Sequence, residues 1–275
     1  MARTGGDARS RDFFVVLATR YCVIGFETLS GATNICVVGA TSAVAQAAIR
    51  IWAQRGCALT LVARNAGELE RIAADARVRG APRVTTLLGE ATDAAFITES
   101  LRTMPVPRVA LVAYGSLSDS ARADSDAAYL AQELHANFVS AALWAQGLAE
   151  RMASENAAGG TIAVISSVAG DRGRGSNHVY GAAKAGLTAF CSGLRARMSA
   201  RRVHVVTVKP GFIDSPMTAH IAAKGALWAT PEVVAAGIIN AVDKKRDVIY
   251  LPGFWRLIML IILHIPEGIF KRLKI

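Results

Sequence analysis

From Asn34 onward the sequence alternates short apolar runs with helix-forming ones, and that alternation leaves few folds open to it. NICVVGATSAVAQAAIRIWAQRG reads as a strand, a tight turn and an Ala-rich helix. CALTLVARN is a second strand, followed by the helix AGELERIAADARVRG, and RVTTLLGEATD is a third. VPRVALVAYGSL is the fourth, leading into a long helix, SDAAYLAQELHANFVSAALWAQGLAERMA. TIAVIS and VHVVTVKPGFIDSPM are the fifth and sixth. Strands separated by helices predict an α/β chain with a doubly wound parallel sheet of the Rossmann type. In such sheets ligands bind beyond the carboxyl ends of the strands.

The residues that fall at those ends carry recognisable chemistry. Tyr180 and Lys184 stand four apart in the helical run YGAAKAGLTAFCSGLRARM, on one helix face. A fixed ammonium beside a phenol is expected to draw its pKa from about 10 toward neutrality. Such a tyrosine can give a proton to a carbonyl receiving a hydride, or take one from an alcohol losing it. Ser167, upstream at the end of the fifth strand, could hold the same substrate oxygen. Asn137 lies on an apolar helix face, where its amide could bond a neighbouring carbonyl or hold a water for proton relay.

The first strand's turn would aim helix N-terminal amides at a phosphate. Gly39 opens it, Thr41 and Ser42 offer hydroxyls, and Val44 completes the candidate pyrophosphate loop. Ala43 and Ala45 stand where a glycine-rich loop would have glycines. An acid at the end of the second strand would mark a ribose diol, but Ala63 and Arg64 are there. A guanidinium suits a 2′-phosphate, so NADP(H) is the preferred cofactor and NAD(H) the alternative; a plain surface arginine is the other reading of Arg64. Glu90 and Asp93 end the third strand, and Ala113-Tyr114-Gly115 end the fourth, where backbone can approach a cofactor closely. Pro210-Gly211 turns sharply after the sixth, placing Ile213 and Ser215 where a nicotinamide could rest.

In this order and spacing, Gly39, Ala113-Tyr114-Gly115, Asn137, Ser167, Tyr180-x-x-x-Lys184 and Pro210-Gly211 resemble the short-chain dehydrogenase/reductase family over roughly residues 34–250. The resemblance implies that Ser167 orients a carbonyl and that Tyr180 donates the proton. It implies too that Lys184 binds the nicotinamide ribose and lowers the tyrosine pKa, and that Asn137 holds the relay water. Arg64 would select NADPH, and Glu90 would lie near the adenine, where the family has Asp. Ala43, Ala45 and Tyr114 depart from the family pattern at positions that bear on cofactor affinity.

Of the 275 residues, 52% are hydrophobic and 19% charged, and the net charge is +10. That excess suggests anionic partners such as nucleotide phosphates or acidic lipids. Without aromatic interleaving or a nucleic-acid-binding motif, no nucleic-acid partner is expected. Cys22, Cys36, Cys57 and Cys191 show no paired spacing and read as buried free thiols of a reducing compartment. No metal-ligand spacing occurs. Residues 1–33 form an N-terminal extension, open to reading as a disordered arm, an amphipathic segment or an over-long start.

Residues 251–275 form an apolar, basic helical tail. The stretch between Pro252 and Pro266 is short of the ~20 residues that span a bilayer. Ile269, Phe270 and Leu273 alternate with Lys271, Arg272 and Lys274, as in an amphipathic basic helix. A monotopic foot on an anionic membrane is the favoured reading, and a dimer-interface helix the other. His264 reads as an interfacial or packing residue, and Trp228 could stack on a ring or pack. The tail, with SSVAGDRGRGSNHVYGAAKAGL, looks like that of the actinobacterial reductases that act on decaprenylphosphoryl-2-keto-ribose. The expected function is thus NADPH-dependent reduction of a lipid-linked ketone by a cytoplasmic homo-oligomer at the membrane's inner face. Fatty-acyl, sterol or other lipid ketones are the alternative substrates, and a non-catalytic nucleotide-binding scaffold the rival class.

Overall fold

The computed structural model describes residues 33–219, 221 and 224–273. Nine strands occur in this part: β1 Asn34–Val38, β2 Ala58–Ala63, β3 Val84–Leu88, β4 Val109–Val112, β5 Gly160–Ile165, β6 Val203–Pro210, β7 Phe212–Ile213, β8 Trp228–Ala229 and β9 Val248–Leu251. Seven of them form one sheet in the order β3-β2-β1-β4-β5-β6-β9, with every neighbouring pair parallel. β7 and β8 make a separate two-stranded pair. The helices are α1 Ala43–Gln54, α2 Ala66–Val78, α3 Ala94–Thr103, α4 Ser120–Ala123, α5 Ala127–Leu134, α6 Ser140–Glu155, α7 His178–Met198, α8 Pro231–Asp243, α9 Trp255–His264 and α10 Glu267–Phe270. A π-helical segment, His135–Val139, joins α5 to α6, so the long helix read from the sequence is continuous but widened and underwound at its centre.

The period-2 alternation of strand side chains divides the core. Ile35, Val37, Leu59 and Leu61 face α1, α2 and α8, meeting Trp52, Ile72 and Ile238. Cys36, Val38, Val62, Ile162 and Val164 face α3, α6 and α7, meeting Trp144, Leu148, Leu187 and Met198. Both faces of the sheet are therefore covered, as a parallel sheet requires. Cys36, Cys57 and Cys191 are buried free thiols, and burial pushes Cys36 and Cys191 up to about 12; Cys22 lies outside the described residues, as do residues 1–32 of the extension.

The fold extends beyond the six strands read from the sequence. β9 adds an edge strand beside β6, and the chain then turns back as α9 over the carboxyl end of the sheet. Trp255 of α9 is 3% exposed and packs with Val168 and Met259. A Cβ on Gly211 would fall 1.9 Å from the Trp255 indole nitrogen, so this glycine makes room for a tail residue. The expected basic helix at the end of the tail is corrected: α10 is a single turn. Its Phe270 is buried beneath the Arg172 guanidinium, 3.7 Å from the ring centroid. No helix among the described residues is long and apolar enough to cross a membrane. Trp255→Ala is expected to cost about 3 kcal/mol, as for other buried tryptophans, read as a lowered urea midpoint. A loss under about 0.5 kcal/mol, the usual surface value, would show that the tail is not part of the folded unit.

Candidate active site

Five strand ends converge on one cleft. β5 delivers Ser167 in extended backbone, where its Oγ accepts from the Ala169 N–H at 3.1 Å. The chain returns as α7, whose first turn carries Tyr180, and the two hydroxyls share a hydrogen bond. Ser166 locks this register: its Oγ donates to the Lys184 carbonyl at 2.9 Å and lies 2.7 Å from Thr188 Oγ1. Gly170 permits the close approach, since a Cβ there would meet the Lys184 backbone at 2.6 Å.

Lys184 lies one turn beyond Tyr180, is 3% exposed, and its Nζ donates to the Ile165 carbonyl at 3.2 Å. The expected lowering of the phenol by this ammonium is corrected here. Burial raises the Tyr180 pKa, opposed only by the Ser167 hydrogen bond. Nζ stands 5.7 Å from the ring centroid and gives one of its three donors to a carbonyl. Burial depresses the lysine itself to about 8, because no carboxylate compensates it.

Asn137 is fully buried in the π segment, and its amide is fully engaged. Oδ1 accepts from the Ser116 N–H at 3.1 Å, while Nδ2 donates to Ser116 Oγ, to the Glu133 carbonyl and to Glu133 Oε2 at 3.1–3.3 Å. The side chain therefore fixes the strand behind the cleft rather than offering a free amide. Glu133, which sequence reasoning missed, is the hub: its buried carboxylate also accepts from Ser116 and Ser118 Oγ, each at 2.8 Å. Its place four residues before Asn137, with Ser-x-Ser after β4, is the signal that could have found it. A Cβ on Gly115 would sit 2.6 Å from Asn137 Oδ1 and 3.4 Å from Lys184 Nζ, so β4's end must be bare backbone here.

The cofactor-side residues line the other half. Gly39 turns at φ +83°, and a Cβ would meet that of Tyr114 at 2.7 Å. Ser42 caps α1, accepting from the Ala45 N–H; no acid occupies that helix's first turn, leaving its amides free to meet an anion. Ala45 and Val44 are buried against the core, so alanine serves packing where loop glycines were expected. Tyr114 contributes backbone only, for its hydroxyl donates to Ser140 Oγ at 2.8 Å on the far side. Arg64 is exposed at the end of β2 and pairs with Glu90 at 3.1 Å. Ala113 follows β4, Pro210 ends β6, and Ile213 and Ser215 follow in β7 and the turn beyond it; Asp93 instead caps α3. Trp228 packs, stacking on Phe212 with ring centroids 5.2 Å apart.

The tail packs against the loop that follows Ser167. Arg172, on the loop after Ser167, donates to the Ile262 and Ile265 carbonyls and pairs with Glu267 at 2.9 Å. Asp171 beside it is paired with buried Lys209 and accepts from the Tyr250 hydroxyl at 2.8 Å. These links join residues far apart in sequence, which spacing could not reveal.

Residues 33–226 match the family model described as short chain dehydrogenase. An uncharacterised oxidoreductase of Mycobacterium tuberculosis is 34% identical over 248 residues, covering 89% of this chain and 98% of that protein. Another from Streptomyces coelicolor is 33% identical over 249 residues, covering 88% and 96%. A solved short-chain dehydrogenase from Sphingobium yanoikuyae in complex with NADPH has a TM-score of 0.73 at 20% identity, covering 86% of this chain and 97% of its own.

The buried lysine has a consequence for stability. Lysine in an unfolded chain titrates near 10.5, and Lys184 near 8. Between those values the unfolded chain binds the extra proton, so stability rises with pH from about 8 upward. Lys184→Met should therefore melt at or above the wild type at pH 7, with the gap closing toward pH 10. A variant that melts lower at pH 7, with a gap indifferent to pH, would contradict the burial argument.

Proposed function

The chain belongs to the short-chain dehydrogenase family, and from that premise we propose that it is an NADPH-dependent reductase of a ketone carried on a lipid. The observation that carries this reading is the convergence of Ser167, Tyr180 and Lys184 at the carboxyl ends of the strands.

The cleft fits a dinucleotide. The amides of α1 and the hydroxyls of Thr41 and Ser42 would hold the pyrophosphate, the bare backbone at Ala113–Gly115 would admit the ribose, and Lys184 would reach its hydroxyls. Arg64, exposed and held only by a surface pair with Glu90 that a 2′-phosphate could displace, suits that phosphate, and the bound NADPH of the Sphingobium protein agrees with that choice. When bound, the nicotinamide supplies a hydride to the carbonyl carbon. Ser167 and Tyr180 hydroxyls both address the carbonyl oxygen, and Tyr180 gives it the proton that completes the alcohol. The raised pKa keeps this phenol protonated at neutral pH, ready to donate. Lys184, one turn beyond Tyr180, is placed to serve the ribose rather than to lower that pKa.

The lipid part of the reading rests on the tail. Leu257, Leu260, Ile261, Leu263 and Ile269 are exposed, Leu260, Ile261 and Ile269 lining a groove with His264 and Pro266, and Lys271 and Arg272 follow in the chain. An apolar edge rimmed by cations suits the surface of an anionic membrane, and this supports reading the protein as one that rests on the membrane's inner, cytoplasmic face. A polyprenyl-phosphoryl keto-pentose is the finer substrate proposed, on the likeness of the tail and catalytic loop to the reductases of that substrate. Association of identical chains is expected alongside. A non-catalytic nucleotide-binding scaffold would need neither the Ser167–Tyr180 pair nor a buried lysine.

Tyr180→Phe is expected to lower turnover at least about 100-fold while NADPH binding, followed by fluorescence, stays within twofold; retained turnover sinks the mechanism. Arg64→Gln should weaken NADPH about tenfold, the order of one charged hydrogen bond, and leave NADH unchanged. Equal loss for both nucleotides would assign Arg64 to packing. In sedimentation with phosphatidylglycerol vesicles, Leu260→Asp with Ile261→Asp should release most of the bound protein. Unaltered binding would overturn the membrane assignment of the tail.

A further inference from the structure

Among the described residues, two buried side-chain polar atoms have no hydrogen-bond partner, Arg174 Nε and Asn177 Oδ1. Both lie on the loop that joins Ser167 to Tyr180. Slack in that loop does not account for them, because its other polar residues are tightly committed. Asp171 is shared between Lys209 and Tyr250, and Arg172 binds two carbonyls, Glu267 and the face of Phe270. Ser120 Oγ donates to the Ser176 carbonyl at 2.8 Å.

Arg174 contrasts with its neighbour two residues earlier. Its Nη2 reaches only the thioether of Met259, at 3.8 Å, a weak acceptor. Met259 is fully buried with Val168, which follows Ser167, and with Trp255, which covers Gly211. The guanidinium therefore stands where the catalytic loop meets the tail helix. Burial pulls its pKa down, and the carboxylate that offsets this, Asp171, already serves Lys209. A half-buried guanidinium without a dedicated acid is a poor structural element. It is a good receptor for an anionic oxygen, which it can meet with two parallel donors.

We propose that Arg174 is a substrate-binding residue that receives an anionic oxygen, phosphate or carboxylate, carried by the substrate near its reacting carbonyl, with Asn177 Oδ1 accepting from a hydroxyl of the same molecule. The inference rests on reading this cleft as the site of ketone reduction, and it narrows the substrate to an acidic one. The exposed apolar edge of α9 takes the chain of such a molecule, and the loop takes its acid.

The test is a binding titration of the full-length protein loaded with NADP+, with three probes of equal chain length: dodecyl phosphate, dodecanoate and dodecanol. The wild type should bind at least one of the acids tenfold or more tightly than the alcohol, and which acid wins identifies the oxyanion. Arg174→Gln and Arg174→Met should reduce that preference to threefold or less, Arg174→Lys should retain part of it, and Arg272→Gln should retain all of it. The proposal is overturned if the wild type treats acid and alcohol alike, if both neutral variants keep the preference, or if Arg272→Gln abolishes it. Turnover of a neutral ketone by the wild type reports separately on the reductase reading, which can fail or hold whatever the titration shows.

Discussion

The site depends on a buried ammonium. Lys184 is charged below about pH 8 in surroundings that resist charge, and its Nζ is held by one backbone carbonyl, that of Ile165. Everything around it serves to keep it there. Ser166 ties the helix to the strand, Gly170 lets the loop lie against the helix backbone, and Gly115 leaves its forward side open. A cation stored this way is costly in the folded chain. It is retained because it stands one helical turn from Tyr180, beside a cleft in which a nucleotide and a carbonyl can meet. The same burial explains why the phenol's pKa is raised rather than lowered in the protein alone.

A second constraint comes from the tail, which reaches the site from behind. Trp255 fills the space that Gly211 leaves, and Met259 covers Val168, so the two ends of the catalytic cleft share one apolar cluster. Arg172 then fastens the loop after Ser167 to the last carbonyls of α9. α9 thus turns Trp255 and Met259 toward the catalytic loop and leaves Leu257, Leu260 and Ile261 exposed.

Much of this was legible in the sequence because it depends on local rules. Period-2 apolar runs separated by helices gave the sheet, and Tyr180, Lys184 and Ser167 fell at the strand ends where such sheets bind ligands. β9 was missed because Val248–Leu251 is a short, partly exposed edge strand behind a charged stretch. Tyr114 looked like a departure at a cofactor position, yet its ring turns backward to Ser140, a direction no pattern specifies. Nothing local marks Glu133 off from other polar helix residues, since its burial depends on serines that arrive after β4. The pairing of Arg172 with the tail spans some ninety residues, and only the fold brings those partners together.

The central claim is that this cleft moves a hydride to a carbonyl and Tyr180 supplies the proton. Deuterium transfer tests it most directly: NADPH labelled at the transferring position of nicotinamide C4 is incubated with the protein, anionic vesicles and a panel of lipid-borne ketones that includes a polyprenyl-phosphoryl keto-pentose. The account predicts one deuterium on the carbinol carbon of the product, none at that carbon when the label is in the solvent water instead, and at least about 100-fold less product from Tyr180→Phe. NADPH held tightly while every ketone is recovered unlabelled would contradict it.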